Sequence, residues 1–540
     1  MNRAVRRRPL VLTLAVLAAT ALAGCTSTAG AGPGRPQAST APDDPATRPE
    51  LKAFYGQKLK WTPCGDLQCA RLTVPMDYGR PGTGKTFVLP VAKAATADPA
   101  ERIGSLVYNP GGPGASGISD LKSGTAETFS AALRERFDVV SFDPRGVGAS
   151  RPALHCAEDE AQDEGDAGGG QPLYPRSEDD RASALAGARL TAAACKKGSG
   201  AILPHVGTRD AARDLDVLRA AVGDSKLTYV GWSYGTSLGT TYAEQFPRRV
   251  RALVLDGAID PSLDWSQRAV GQAAGFERAV DDYATYCADV AGDSCPGETS
   301  EEIHQLIDRL YGRAGREPLP IDGDEYGLDA RGVLDAVSMA MYTPEAQWED
   351  LSAALREADD GDGTRLAGLD AADDVETGSE DADDPAAPES ADPSESADAG
   401  EPPADNEDSA LLAVNCLDTP HPRSAEPYWD ALAGAEKAAG VYGPSSVIDA
   451  LSCKDWPAGE QRPHRVRAEG VPPVLVVGTT GDPATPYEES ESLAAQLPGG
   501  MLLTYEGLGH TAYGRSNACV TDAVDGYLIA RKPVRSGTTC

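Results

Sequence analysis

Apolar residues in this chain gather into short runs that are hydrophobic throughout, not on alternate positions. Residues 104–108, 137–142, 226–230, 250–255, 473–477 and 501–504 read this way, and 72–76 and 86–91 precede them as earlier strands. Stretches with helical spacing lie between the runs. From Thr208, apolar positions at Leu215, Leu218 and Val222 predict a helix capped by Thr208 and stopped at Gly223. Residues 237–246 predict another helix directly after the 226–230 strand. Strands apolar on both faces and alternating with helices imply a mostly parallel sheet covered on both sides, an α/β fold.

The alternation breaks between about 261 and 470. There the pattern turns helical and alanine-rich, which predicts a helical cap inserted between two late strands of the sheet. Inside it, Asp370 to Asp408 holds 16 Asp plus Glu and no Lys or Arg. Such a segment cannot bury enough apolar surface to offset its chain entropy, so it is expected to be a disordered, solvated insert. No internal repeat is visible. The organisation expected is a signal peptide at 1–24, a flexible tether at 25–50, a core in two pieces (51–260 and 470–540), and a cap at 261–469 carrying the acidic insert 370–408.

The 540 residues, 41% of them hydrophobic, suffice for more than one folding unit. The N-terminus looks like an export signal: Arg3, Arg6, Arg7 and Arg8 precede an apolar stretch, 10–22, too short to span a bilayer. It ends in Leu22-Ala23-Gly24-Cys25, a lipobox-like sequence, so Cys25 is expected to become a lipidated N-terminus on the outer face of the membrane. Cleavage after Ala21-Leu22-Ala23 is the plainer alternative, and either Sec or twin-arginine export fits the arginines. Of the 11 cysteines, the ten besides Cys25 fall in near pairs: 64/69, 156/195, 287/295, 416/453 and 519/540. Five sequence-local disulfides in an exported chain are expected. No C-x-x-C spacing or histidine cluster suggests a metal. The net charge of −33 disfavours nucleic acid as a partner, and a monomer is expected.

The chemistry centres on Gly231-Trp232-Ser233-Tyr234-Gly235. It sits between a strand and a helix, the setting of a G-x-S-x-G nucleophile elbow. A serine hydroxyl needs a base within hydrogen-bond reach and an acid to orient that base. His510, in Gly507-Leu508-Gly509-His510-Thr511 after the last strand, is the candidate base; His304, His421 and His464 fall in the cap or its return segment. Asp482, in a Gly- and Pro-fixed loop after the 473–477 strand, is the candidate acid. Asp256, at the end of the strand before it, is the alternative and otherwise a turn-capping residue. Thr485 is a candidate partner for Asp482. Two backbone N–H donors must meet the tetrahedral intermediate: Tyr234, and one from Gly111-Gly112-Pro113-Gly114, either Gly112 or, as the alternative, Gly111. No cofactor is required.

Taken together, Asn109-Pro110-Gly111-Gly112-Pro113-Gly114, Asp143-Pro144-Arg145-Gly146-Val147-Gly148-Ala149-Ser150, the 231–235 elbow, Gly481-Asp482-Pro483 and Gly509-His510 resemble the α/β-hydrolase serine peptidases related to prolyl aminopeptidase. The resemblance extends from about 51 to 540, the acidic insert excepted, and is strongest to secreted bacterial tripeptidyl aminopeptidases. Asn109-Pro110 stands where prolyl aminopeptidases usually carry histidine, which argues for the tripeptidyl branch. The resemblance implies an exopeptidase acting on peptides with a free N-terminus, with Arg145 as a structural brace. A substrate ammonium calls for a carboxylate; the cap offers Glu277, Asp281 and Asp282 among many acids. A carboxylesterase or lipase on the same fold is the competing reading, and a non-catalytic peptide-binding surface lipoprotein the third.

Overall fold

The continuous apolar runs become strands because a central strand of a covered sheet presents both faces to side chains. In the computed structural model β4 (Gly104–Asn109), β5 (Phe137–Phe142) and β6 (Leu227–Trp232) are buried at every position, and β7 (Val250–Asp256) at all but one. The structure describes residues 45–156, 172–291, 294–370, 406–457, 459 and 461–540. The expected signal peptide with Cys25, most of the tether, and residues 371–405 of the acidic insert lie outside these.

The remaining strands of the main sheet are β1 (Thr62–Cys64), β2 (Leu67–Pro75), β3 (Thr86–Ala94), β10 (Leu475–Gly481), β11 (Met501–Leu508) and β12 (Thr538–Thr539). Their order is β1-β2-β3-β5-β4-β6-β7-β10-β11-β12. Pairing is antiparallel from β1 to β5 and parallel from β5 onward. This is an α/β-hydrolase fold. Helices cover both faces. Thr208–Ala221 and Tyr234–Gln245 contribute to a cluster on one side that includes Leu215, Leu218, Leu238 and Tyr242. Ala518–Ala530 buries Val520, Val524 and Leu528 on the other side, beside Leu106 and Val230.

Between β7 and β10 the chain forms seven of its longer helices among the described residues, from Trp265–Tyr286 to Tyr442–Leu451, with a short hairpin of β8 (Leu319–Ile321) and β9 (Asp324–Leu328). They build a separate apolar cluster around Tyr283, Leu306, Leu310, Leu351 and Leu355. The helix Glu178–Ser199, sequentially part of the core's first piece, also lends Ala188 to a cluster with Tyr428, Leu432 and Val447. Five disulfides join 64/69, 156/195, 287/295, 416/453 and 519/540, the pairing expected from local spacing. They mark the chain as an exported one. Among the described residues no helix is long and apolar enough to cross a membrane.

One local expectation needs correcting. Thr208 does not cap its helix: it is the first helical residue, Gly207 precedes it, and its hydroxyl meets the Tyr234 hydroxyl at 2.5 Å. Asp418, from the helix Glu407–Asp418, takes the Thr208 N–H in place of a cap (2.9 Å).

Candidate active site

Ser233 stands between the end of β6 and the helix Tyr234–Gln245 with φ 54° and ψ −123°, a conformation that side-chain-bearing residues rarely adopt. Its neighbours hold it there. The Ser233 N–H donates to the Asp256 carbonyl (2.9 Å), and its own carbonyl accepts from the Thr236 N–H (2.8 Å) and hydroxyl (2.6 Å). The flanking glycines are required by close approach: a Cβ at Gly231 would lie 2.3 Å from the Gly235 carbonyl oxygen, and one at Gly235 2.7 Å from that of Asn109. Tyr234 opens the helix, where N–H groups have no intrahelical acceptor.

Asp482 follows β10 and His510 follows β11, so the three candidate residues emerge at the carboxyl ends of β6, β10 and β11. His510 Nδ1 lies 2.8 and 3.0 Å from the two Asp482 oxygens. Asp482 also accepts N–H bonds from Ala484 (3.0 Å), Thr485 (2.8 Å) and Thr511 (3.1 Å). Thr485 thus meets Asp482 through its amide, while its hydroxyl sits 3.5 Å from His510 Nδ1. His510 is buried, and its Nε2 has no hydrogen-bond partner among the described residues. A base awaiting a serine proton has this arrangement: one ring nitrogen fixed by a carboxylate, the other open. Of the other histidines after Ser233, two are paired with carboxylates and the third is held neutral by burial. His304 pairs with Asp281 (3.0 Å) and His464 with Glu244 (3.0 Å); burial pushes His421 down to about 4.

The glycine loop after β4 lies against the serine. A Cβ at Gly111 would stand 3.0 Å from Ser233 Cβ and 3.6 Å from its Oγ, with φ 125° at Gly111. Gly112 (φ 92°) is one residue further, near Glu407, and Gly114 packs on the Glu407 backbone, 2.6 Å from a virtual Cβ to the carbonyl. The loop is therefore held between the elbow and the helix Glu407–Asp418.

Asp256 is not a spare acid beside the imidazole. It is fully buried, and its carboxylate accepts the N–H groups of Ala512 (3.1 Å to each oxygen) and Tyr513 (2.7 Å). It caps a turn, but one 256 residues away in sequence. Burial, with a smaller contribution from the nearby Asp482 charge, pushes its pKa up to about 6. Arg145 is the brace that the resemblance implied. Fully buried, it donates two bonds of 2.7 Å to Asp214 and others to the carbonyls of Pro75, Met76 and His205. The cap supplies contacts that sequence reading missed. The His510 N–H donates to the Tyr342 carbonyl (2.8 Å), and Arg515 links Glu345 (3.1 Å) to the His510 and Leu508 carbonyls (2.9 and 2.7 Å). No sequence signal announces them, since carbonyl acceptors exist at every position.

The three cap acids share the helix Trp265–Tyr286, which reaches the site at Gly275, where a Cβ would lie 2.3 Å from the Pro483 carbonyl oxygen. Glu277 is half-buried against Gly440; desolvation and the Asp281 charge hold its pKa above the usual range.

Comparison with known proteins agrees with this geometry. Residues 104–311 match the alpha/beta hydrolase fold family, and 439–540 match the TAP-like protein family. The chain is 36% identical over 510 residues to serine protease Hip1 of Mycobacterium tuberculosis, covering 90% of this chain and 91% of the relative. It is 33% identical to tripeptidyl aminopeptidase of Streptomyces lividans (89% and 84% covered). It is likewise 33% identical to carboxylesterase B of M. tuberculosis (97% and 96%). The elbow, the paired aspartate and histidine, and these relatives place the chain in the α/β-hydrolase family with a TAP-like C-terminal segment, as a serine peptidase.

Proposed function

We propose that this serine peptidase releases short peptides, chiefly tripeptides, from the free N-terminus of peptides and proteins through an acyl-enzyme at Ser233. The observation that carries the reading is His510, held by Asp482 at Nδ1 with Nε2 open, on the same sheet edge as the strained Ser233. The relative named tripeptidyl aminopeptidase supports the product length. Ser233 Oγ attacks the scissile carbonyl carbon as His510 Nε2 takes the hydroxyl proton. The oxyanion is met by the N–H of Tyr234 and one from the 111–112 loop, worth roughly 3–4 kcal/mol per donor. Collapse breaks the C–N bond, and His510 returns the proton to the leaving amine. Water then repeats the sequence, releasing the peptide and restoring Ser233. Asp482 fixes the imidazole through Nδ1 throughout. The cap acids are the pool from which an ammonium partner is drawn, and a lipid on Cys25 would hold the enzyme at the outer face of the cell membrane.

The relative named carboxylesterase B favours a second reading, ester hydrolysis with the same residues. The test is paired hydrolysis of a tripeptide anilide with a free N-terminus and its N-acetylated form, with Ser233→Ala as control. Cleavage of the free form alone, lost in the variant, supports the proposal. Equal cleavage of both removes N-terminal recognition, and cleavage of a short-chain ester alone moves the assignment to the esterase.

A further inference from the structure

The segment after His510 is built under strain and held by two separate carboxylates. Thr511 has φ 64°, a left-handed conformation unfavourable for a β-branched residue. Three successive amides follow the imidazole. Asp482 takes the N–H of Thr511, and Asp256 takes those of Ala512 and Tyr513. Asp256 reaches them from the end of β7, whose carbonyl also holds the Ser233 N–H (2.9 Å). One residue therefore grips the nucleophile's backbone with its carbonyl and the base's loop with its side chain. Gly257, next in the chain, has φ 66° and leaves the room the imidazole needs: a Cβ there would lie 3.2 Å from His510 Cε1 and 3.0 Å from Thr511 Cγ2.

We propose that Asp256 is a positioning residue for the reaction: its buried carboxylate clasps the amides of Ala512 and Tyr513 and thereby sets His510 at the reach from Ser233 that proton transfer requires. The inference rests on reading His510 as the base, but assigns a role to a residue outside the Ser233, Asp482 and His510 set. A carboxylate is suited to the task. Both its oxygens are acceptors, and bonds to an ionised acceptor are roughly twice as strong as neutral ones. An asparagine of the same shape offers one acceptor and turns an N–H toward another N–H. The titratable groups facing Asp256 are Asp482 from the β10 loop and His510 from the β11 loop.

The experiment compares Asp256→Asn with wild type in kcat and KM on a tripeptide anilide, with kcat referred to the folded fraction found by thermal unfolding. A base displaced by about 1 Å costs on the order of 100-fold in rate. The expected result is kcat per folded molecule down roughly 10- to 100-fold, with KM within about twofold. An unchanged kcat overturns the inference. So does a lower Tm with kcat per folded molecule equal to wild type, which is the signature of a merely structural role. If Asp256→Asn does not fold, amide hydrogen exchange on the wild-type protein decides. Protection factors at Ala512 and Tyr513 that fall as pH drops through about 6, while β7 stays protected, support the clasp; unprotected amides at pH 8 overturn it. His510→Ala separates the two levels: if that variant keeps full activity, the reading of the base fails and this inference with it. If it is inactive while Asp256→Asn is unimpaired, the inference alone fails.

Discussion

Asp482→Asn changes one atom in the site and asks whether Asp482 orients the base. Every group that meets the carboxylate is an N–H donor. Ala484 and Thr485 donate to Oδ1, Thr511 donates to Oδ2, and His510 Nδ1 lies against both oxygens at 2.8 and 3.0 Å. An amide that keeps its oxygen at the Oδ1 position satisfies the two loop amides and points its NH2 at Thr511 N–H and at the imidazole. Two donors then face each other across about 3 Å at Thr511, costing roughly 1–3 kcal/mol of stability for the unsatisfied group. The imidazole escapes the same conflict by moving its proton to Nε2, so that Nδ1 accepts from the amide. That tautomer cannot take a proton from Ser233. In serine peptidases built on other folds the same substitution lowers kcat about 10⁴-fold, or about 5.5 kcal/mol of transition-state stabilisation. The expected outcome here is a kcat loss of that order at pH 7 with KM nearly unchanged, read by steady-state hydrolysis of a tripeptide anilide. A loss below about tenfold in a folded variant would refute the tautomer argument and remove Asp482 from the mechanism.

Three further perturbations follow from the same contacts. Arg145→Met leaves the buried Asp214 without a counter-charge, held only by the Tyr78 hydroxyl (2.7 Å); unfolding in urea should show a loss of about 3–5 kcal/mol, with activity per folded molecule much less affected. Gly257→Ala forces a Cβ to 3.2 Å from His510 Cε1 at φ 66°; kcat should fall well beyond any change in KM. Asp418 is half-buried, and desolvation raises its pKa to about 6. A carboxyl that holds its proton more tightly when folded contributes most below its unfolded pKa and loses that contribution as pH rises through about 6. Asp418→Asn keeps the acceptor for Thr208 N–H and should therefore gain stability over wild type at pH 8, by up to about 3 kcal/mol. The gain should vanish near pH 4, as paired melting curves at the two pH values would show.

The strands were readable because buried parallel strands are apolar throughout, and β4, β5, β7 and β11 begin where the runs begin. Short edge strands such as β1 and β12 carry no such signal; their pairing comes from the 64/69 and 519/540 disulfides and from neighbouring strands. The hairpin β8–β9 was hidden in a region whose dominant pattern is helical. Ser233, Asp482 and His510 could be picked from sequence because each sits in a loop following a recognisable strand. The sequence favours Gly112 over Gly111 as the loop donor, whereas the three-dimensional approach sets Gly111 against Ser233; adjacent glycines carry no sequence signal of that approach. Asp256 shows the boundary most clearly. At the end of a strand it reads as a local cap, and its partners, Ala512 and Tyr513, are backbone amides that no residue type announces. Thr208 misled for a related reason: its hydroxyl found Tyr234 across the core instead of the turn it begins.

The most direct test of the account is to trap the intermediate. The protein would be quenched in acid during turnover of a tripeptide ester with a free N-terminus, digested, and mapped by mass spectrometry. The account predicts a tripeptidyl adduct on Ser233, absent from Ser233→Ala and depleted in His510→Ala. Continued hydrolysis with no adduct on Ser233, or with the adduct on another residue, would contradict it.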